Sequence, residues 1–142
     1  MTSASSLPKS ILDESNLPIL EVIYPAQATP ETLDLLFEAY RRVGRENAQV
    51  AYLIDMRLLS LTSTTAPARR HAAALHARYC NELAKTAVCE ARVVSSPMMR
   101  GVLVAFDWLK GEGLWPCETF ATRQEAVAWI GKLLAAKSGK KT

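Results

Sequence analysis

Apolar runs and amphipathic stretches alternate along the chain, and this alternation predicts its secondary structure. Four runs have the length and apolar content of strands, at 19–24, 50–55, 88–94 and 117–120, and a short edge strand is expected at 10–12. Four stretches carry apolar residues at helical spacing, at 30–43, 66–87, 98–109 and 123–134. Because strands and helices alternate, we expect one α/β domain with a mostly parallel sheet of four to five strands and about four helices.

Two of these elements support more detailed predictions. The first helix begins at Thr29-Pro30, a hydroxyl N-cap followed by proline, and Gly44 is expected to end it. Its predicted buried stripe is Leu33, Leu36, Phe37, Tyr40 and Val43. In the run 88–94, Glu90 and Arg92 alternate with apolar residues and therefore share one face of the strand.

The domain is expected to span residues 9–136, between a disordered Ser-rich tail at 1–8 and a disordered basic tail at 137–142. The net charge of +3 comes from the basic tail: without its three lysines, the 17 basic residues become 14 and match the 14 acidic ones. A neutral body lacks the positive surface of a dedicated nucleic-acid binder, so we expect no nucleic-acid partner.

Two further features concern location. No apolar stretch is long enough to span a membrane, and the first fourteen residues lack the apolar core of a signal peptide. The three cysteines, Cys80, Cys89 and Cys117, are an odd number without CxxC spacing. We therefore expect reduced thiols in a cytoplasmic protein.

The first candidate site follows the run 50–55, which ends in Asp55 and is followed closely by Arg57. Ligands and partners of α/β sheets bind at the carboxyl ends of such strands. Alternation places Asp55 and Arg57 on the same side. They are expected either to form a local ion pair or to belong to a surface that a partner recognises.

Hydroxyl residues Ser63, Thr64 and Thr65 precede the next helix. A phosphate on one of them would lie at a helix N-terminus close to Arg69, which favours its negative charge. An ordinary loop and N-cap account for the same residues, so both interpretations stay open.

The second candidate site is the turn at 95–101. Ser96 and Pro97 have the pattern of a helix start. Arg100, one turn further, is placed to hold an anion or to pair with Asp55. Gly101 costs the helix about 1 kcal/mol relative to alanine, which indicates that another group approaches the backbone there.

The helix at 98–109 is apolar on nearly all sides. Core packing, a dimer interface or a cleft for an apolar ligand would each account for this composition. Trp108 and Trp115 flank the turn after this helix. They are candidates for the wall of a pocket, although aromatic residues at a helix end also belong to ordinary core edges.

Recognisable catalytic motifs are absent from the sequence, including glycine-rich phosphate loops, HExxH and GxSxG. His76 and Cys80 lie one helical turn apart and could supply two metal ligands or a base and a thiol, but no third ligand has a recognisable spacing. We therefore expect no enzyme activity, no catalytic residue, no metal site and no cofactor.

In their order and spacing, these segments resemble the STAS-like family of small bacterial proteins, related to anti-sigma-factor antagonists and grouped with CRAL-TRIO-type lipid-binding domains. The resemblance covers about 19–134 and rests on LEVIY, LIDMR, the Ala- and Arg-rich helix, VVSSPMMRG and FATRQEAVAWI. It implies an α/β domain for protein–protein regulation. Antagonists carry a phosphorylated Asp-Ser-Xaa-Gly motif after the central strand, where this chain has LTSTTAP, so the resemblance does not extend to that switch.

Our leading hypothesis is a non-enzymatic STAS-like regulatory module that binds another protein and forms a homodimer. Its partner surface would combine the loop at 55–65, the start of the helix at 66–87 and the turn at 95–101. The alternative is a binder of a small apolar molecule or lipid, held in a cleft beside the helix at 98–109 and walled by Trp108 and Trp115.

Overall fold

The structure, a computed structural model, describes residues 7–110 and 113–139. In chain order its elements are β1 (Leu12–Asp13), β2 (Ile19–Ile23), α1 (Pro30–Glu46), β3 (Val50–Asp55), α2 (Ala66–Leu83), β4 (Ala87–Val93), α3 (Pro97–Lys110), β5 (Cys117–Phe120) and α4 (Arg123–Gly139). A short 3-10 turn, Leu61–Ser63, precedes α2. The predicted α/β domain, with a mostly parallel sheet and four helices, is confirmed.

The five strands lie side by side in chain order. β1 is antiparallel to β2, and β2 to β5 are parallel to one another. Connections between parallel strands are almost always right-handed, and three of them advancing in the same direction place their helices on one face. Accordingly α2 packs against both α1 and α3, while α4, which follows the last strand, packs against β3, β4 and β5.

The central strand β3 divides the core into two parts. All six of its residues are buried, as expected for a strand covered on both faces. Tyr52 and Ile54 face the layer of α1 and α2, whereas Ala51 and Leu53 face α4. One apolar run thus supplies both cores through the two-residue alternation of a strand.

The buried stripe of α1 contains the five residues that its spacing predicted. The end of α1 differs from the prediction, because the helix continues past Gly44 to Glu46. There the Asn47 side chain donates a hydrogen bond to the Val43 carbonyl oxygen at 2.9 Å. Gly44 instead permits close packing, since a Cβ atom at this position would lie 3.1 Å from Thr86 Oγ1.

Other boundaries shift by a few residues. α2 ends at Leu83 rather than at 87, because β4 already begins at Ala87. The edge strand is Leu12–Asp13, where we expected 10–12.

The predicted tails lie partly outside the described residues, which exclude 1–6 and 140–142. Leu7 packs against the core, and α4 continues through 137–139 to Gly139. Within the described ranges, no helix combines the length and the apolar character needed to cross a membrane.

Candidate functional site

A cavity of about 120 Å³ lies between the sheet and the layer formed by α1, α2 and α3. Tyr52 and Ile54 of β3 and Glu90 and Arg92 of β4 line it from the sheet side. These four residues are paired across neighbouring strands, Tyr52 with Glu90 and Ile54 with Arg92. For scale, an apolar cavity of roughly 150 Å³ in another protein binds benzene.

The helices close the cavity with mainly apolar side chains. α3 contributes its inner face, formed by Met99, Val102, Leu103 and Phe106. This spacing of three and four residues is the one by which a helix presents a single stripe to its neighbours. The cleft expected beside this helix therefore exists on its inner side.

Glu90 and Arg92 form a buried ion pair at the sheet side of the cavity. Arg92 is 2% exposed, and its Nε donates to Glu90 Oε2 at 2.8 Å. Its Nη1 lies 3.0 Å from Asp107 Oδ1, and Trp115 Nε1 donates to Glu90 Oε1 at 3.0 Å. Burial alone would lower the pKa of Arg92, but attraction to Glu90 and Asp107 raises it above its usual range. Arg92 is therefore charged in this apolar setting.

Tyr52 presents a buried hydroxyl in the same cavity. The residue is 3% exposed, and its Oη has no hydrogen-bond partner among the described residues. Burial and the neighbouring charge of Glu90 raise the pKa of Tyr52, so the phenol is neutral and can donate a hydrogen bond. Leaving a buried hydroxyl unpaired costs about 1–3 kcal/mol. Tyr40 Oη, in the same lining, is also buried without a partner among the described residues, so two phenols in this cavity carry that cost.

Aromatic rings hold Tyr52 in position. Its ring centroid lies 5.3 Å from that of Tyr40, edge to face, and 6.4 Å from that of Trp115, stacked. His76 of α2 is buried and lies 5.6 Å from the Trp115 ring. The cavity wall here is formed by rigid rings, which limits how far it can collapse.

Arg69, at the start of α2, also lines the cavity. Its Nη1 donates to the Thr64 carbonyl oxygen at 2.6 Å. Its Nε is buried without a hydrogen-bond partner, and Arg69 forms no ion pair with a carboxylate within the described ranges. Arg69 was a predicted partner residue, and the structure places it in the cavity wall.

Asp55 and Arg57 form the local ion pair that alternation suggested. Arg57 Nη2 lies 2.7 Å from Asp55 Oδ2, and Arg57 Nε donates to Asp55 Oδ1 at 3.0 Å. Burial alone would raise the pKa of Asp55, but the hydrogen bonds from Arg57 lower it below its usual value. Alternation places Asp55 on the face covered by α4, together with Leu53. Arg100 is exposed on α3, in the layer over the opposite face.

The predicted hydroxyl residues divide into two groups. Ser63 and Thr64 line the cavity. Thr65 caps α2, because its Oγ1 accepts a hydrogen bond from the Ala68 amide at 3.3 Å. Ser96 has the same role for α3, accepting from the Met99 amide at 3.1 Å. The capping interpretation thus accounts for Thr65 and Ser96.

The outer side of α3 is open to solvent. Gly101 is exposed, and a Cβ atom there would meet nothing within 4 Å among the described residues. The expected close approach to its backbone is therefore not made by this part of the chain. Met98 and Trp108 are 69% and 83% exposed, so Trp108 lies outside the cavity that Trp115 lines. The two tryptophans do not form one wall.

The residues that sequence reasoning left out of the candidate site are Tyr52, Glu90 and Arg92. A signal for the last two was present, because two charges on one face of an otherwise apolar strand need buried partners. Tyr52 gave no comparable signal, since an aromatic residue is ordinary in a buried strand. No group of three or more side chains that could hold a metal ion occurs within 7–110 and 113–139. His76 and Cys80 therefore have no third ligand in these ranges.

Comparison of the chain with models of known protein families, with curated proteins and with solved structures finds no match. The resemblance to the STAS-like family therefore stays a prediction. The site has to be interpreted from its own geometry.

Proposed function

We propose that the protein binds a small, mainly apolar molecule in the cavity between the sheet and α1, α2 and α3. The observation that carries this proposal is the buried, unpartnered hydroxyl of Tyr52 inside a mainly apolar cavity. Small-molecule sites combine an apolar lining with a few well-placed polar groups that orient the ligand. The buried pair of Glu90 and Arg92 adds polar groups held in fixed positions by hydrogen bonds.

Benzene and two matched variants test whether the cavity accepts a ligand. Ala72→Leu places extra volume on the cavity-lining face of α2, whereas Ala77→Leu adds the same volume at an exposed position of that helix. A ligand that binds only the folded state raises the melting temperature, by a few degrees at about ten times its dissociation constant. We expect benzene to stabilise the wild type and Ala77→Leu, and to lose this effect in Ala72→Leu.

Equal shifts in all three proteins, or no shift in any of them, would contradict the proposal. Native mass spectrometry of the freshly purified wild type adds an independent readout. A bound small molecule is expected as extra mass that disappears on denaturation.

A second proposal is the STAS-like regulatory module in which the chain binds another protein or its own second copy. It is supported by exposed apolar side chains beyond the carboxyl ends of β3 and β4: Leu58 is 66% and Met98 69% exposed. Exposed apolar groups that lie at one edge are candidates for an interface. Cys80, Cys89 and Cys117 form no disulfide within the described ranges, which supports the cytoplasmic location that we propose for either function.

Sedimentation analysis tests the homodimer. We expect Leu58→Ser combined with Met98→Ser to reduce self-association, while Val104→Ser, a change at an exposed apolar position further along α3, leaves it unchanged. A wild type that stays monomeric at high micromolar concentration would argue against the homodimer.

A further inference from the structure

We infer that the ligand of this cavity is a small organic acid with an apolar body of about one ring, whose oxygen atoms accept hydrogen bonds from the cavity wall. The inference rests on the proposed binding function and specifies the ligand's chemistry.

Among the described residues that line the cavity, the side-chain atoms buried without a hydrogen-bond partner are Tyr40 Oη, Tyr52 Oη and Arg69 Nε, and each of them carries a hydrogen that it can donate. A guanidinium nitrogen can only donate, and a neutral phenol donates readily. Glu90, in contrast, has both carboxylate oxygens engaged, one by Arg92 and one by Trp115. A ligand that fits this lining therefore brings acceptors.

The charges of the lining favour a negative ligand. The charged side chains that line the cavity are Arg69, Glu90 and Arg92. Glu90 and Arg92 compensate each other at 2.8 Å, and Arg92 also pairs with Asp107. Arg69 has no carboxylate partner within the described ranges. A carboxylate is the anion whose two oxygens match the planar guanidinium fork.

The volume of the cavity and the burial of its lining residues limit the apolar body of the ligand. About 120 Å³ is suited to a single ring or a short branched chain. Arg69 is only partly buried, as are Ser63 and Thr64 beside it, whereas Tyr52 is 3% exposed. An acid would keep its charge at Arg69, close to water, and extend its apolar body among the side chains of α3.

Three single-ring probes that differ mainly in charge test the inference by calorimetry at low salt: benzoate, benzyl alcohol and benzylamine. Each is titrated into the wild type, Arg69→Gln, and Arg70→Gln as a matched control at the exposed neighbouring position. We expect benzoate to bind the wild type about tenfold or more tightly than the alcohol, because a hydrogen bond between two charged groups is stronger than one to a neutral hydroxyl. The amine should bind most weakly. Arg69→Gln should remove the preference for benzoate, and Arg70→Gln should retain it.

The outcomes separate this inference from the proposed function. If the alcohol or the amine binds as well as benzoate, or if Arg69→Gln retains the preference, the acid is wrong while the cavity remains a binding site. If no probe binds and benzene also fails to stabilise the protein, the binding function of the cavity and the organic-acid ligand are both wrong. Arg69→Lys, which keeps the charge but not the planar fork, is expected to give an intermediate affinity and guards against a folding defect in Arg69→Gln.

Discussion

The two faces of the sheet are built from the same strands and differ in almost every respect. The face under α4 is apolar in its centre, where five strand residues are fully buried: Ala51, Leu53, Cys89, Ala91 and Val93. The face under α1, α2 and α3 carries Tyr52, Glu90 and Arg92 at the intervening positions of β3 and β4, and it borders a partly open cavity. A shift of one residue along a strand thus separates a packed core from a candidate site.

The difference follows from what covers each face. Small residues such as Ala51 and Ala91 present little side chain, which suits close packing against Ala126 and Ile130 of α4. On the other face, three helices meet over larger side chains, and their rings and charged groups leave a gap. Close-packed interiors seldom retain such gaps. The contrast is the geometric basis of the proposed binding function.

The largest expected effect comes from breaking the buried ion pair. Arg92→Met leaves Glu90 buried without its main partner and is expected to lower the free energy of unfolding by about 3–5 kcal/mol. Adding Glu90→Gln removes the uncompensated charge and should recover much of this loss. Urea denaturation of both variants measures the difference. A loss below about 1 kcal/mol in Arg92→Met would mean that the pair is not essential to this face.

Matched leucine truncations compare the two faces directly. Leu53 is fully buried under α4, while Leu103 lines the cavity and is 5% exposed. Both changes to alanine are expected to destabilise the protein by about 2–4 kcal/mol. The Leu53→Ala loss should be the greater by about 1 kcal/mol, because an atom beside a void has fewer packing contacts to lose. Equal losses in urea denaturation would contradict the contrast between the faces.

Two tyrosines allow a comparison between a hydroxyl that has a hydrogen-bond partner and one that has none among the described residues. Tyr79→Phe removes a hydrogen bond of 2.8 Å to Glu38 Oε2 and is expected to cost about 1 kcal/mol. Tyr52→Phe removes a hydroxyl that has no partner among the described residues, so the ligand-free protein should be more stable by about 1 kcal/mol, the lower end of the cost of leaving a buried hydroxyl unpaired. Thermal unfolding measures both. A clear loss in Tyr52→Phe without ligand would show that this hydroxyl is satisfied in solution.

The smallest effect concerns the ion pair at the edge of the α4 face. The folded-state pKa of Asp55 is lowered from 3.8 by Arg57, so the pair stabilises the protein above that pH and the contribution is lost as the pH falls through the folded pKa. Arg57 is 43% exposed, which limits the contribution to about 1 kcal/mol or less. Asp55→Asn should therefore be less stable than the wild type at pH 7, and the difference should vanish in strong acid. If the difference in stability between Asp55→Asn and the wild type stays constant from pH 7 to strong acid, the ion pair does not link stability to pH.

Sequence patterns correctly predicted the features that depend only on residues close together in the chain. The stripe of α1, the N-caps Thr65 and Ser96, and the pair of Asp55 and Arg57 all follow from spacing within one or two turns or along one strand. The predicted end of α1 was wrong because the helix continues past Gly44, and the close packing of Gly44 against Thr86, in the turn before β4, depends on a distant part of the chain. The reason for Gly101 was also wrong for the described chain, since its surroundings depend on which side of α3 faces solvent.

The sequence by itself determined the order of strands and helices, because alternation, caps and periodicity are properties of short segments. It also showed that Glu90 and Arg92 share a face of β4. Only the tertiary structure decided that this face is the one covered by three helices and that Tyr52 lies in a cavity with an unpaired hydroxyl. The physical reason is that a cavity is the space left between side chains from segments far apart in the sequence. The pattern within one segment carries no information on how closely it packs against the others.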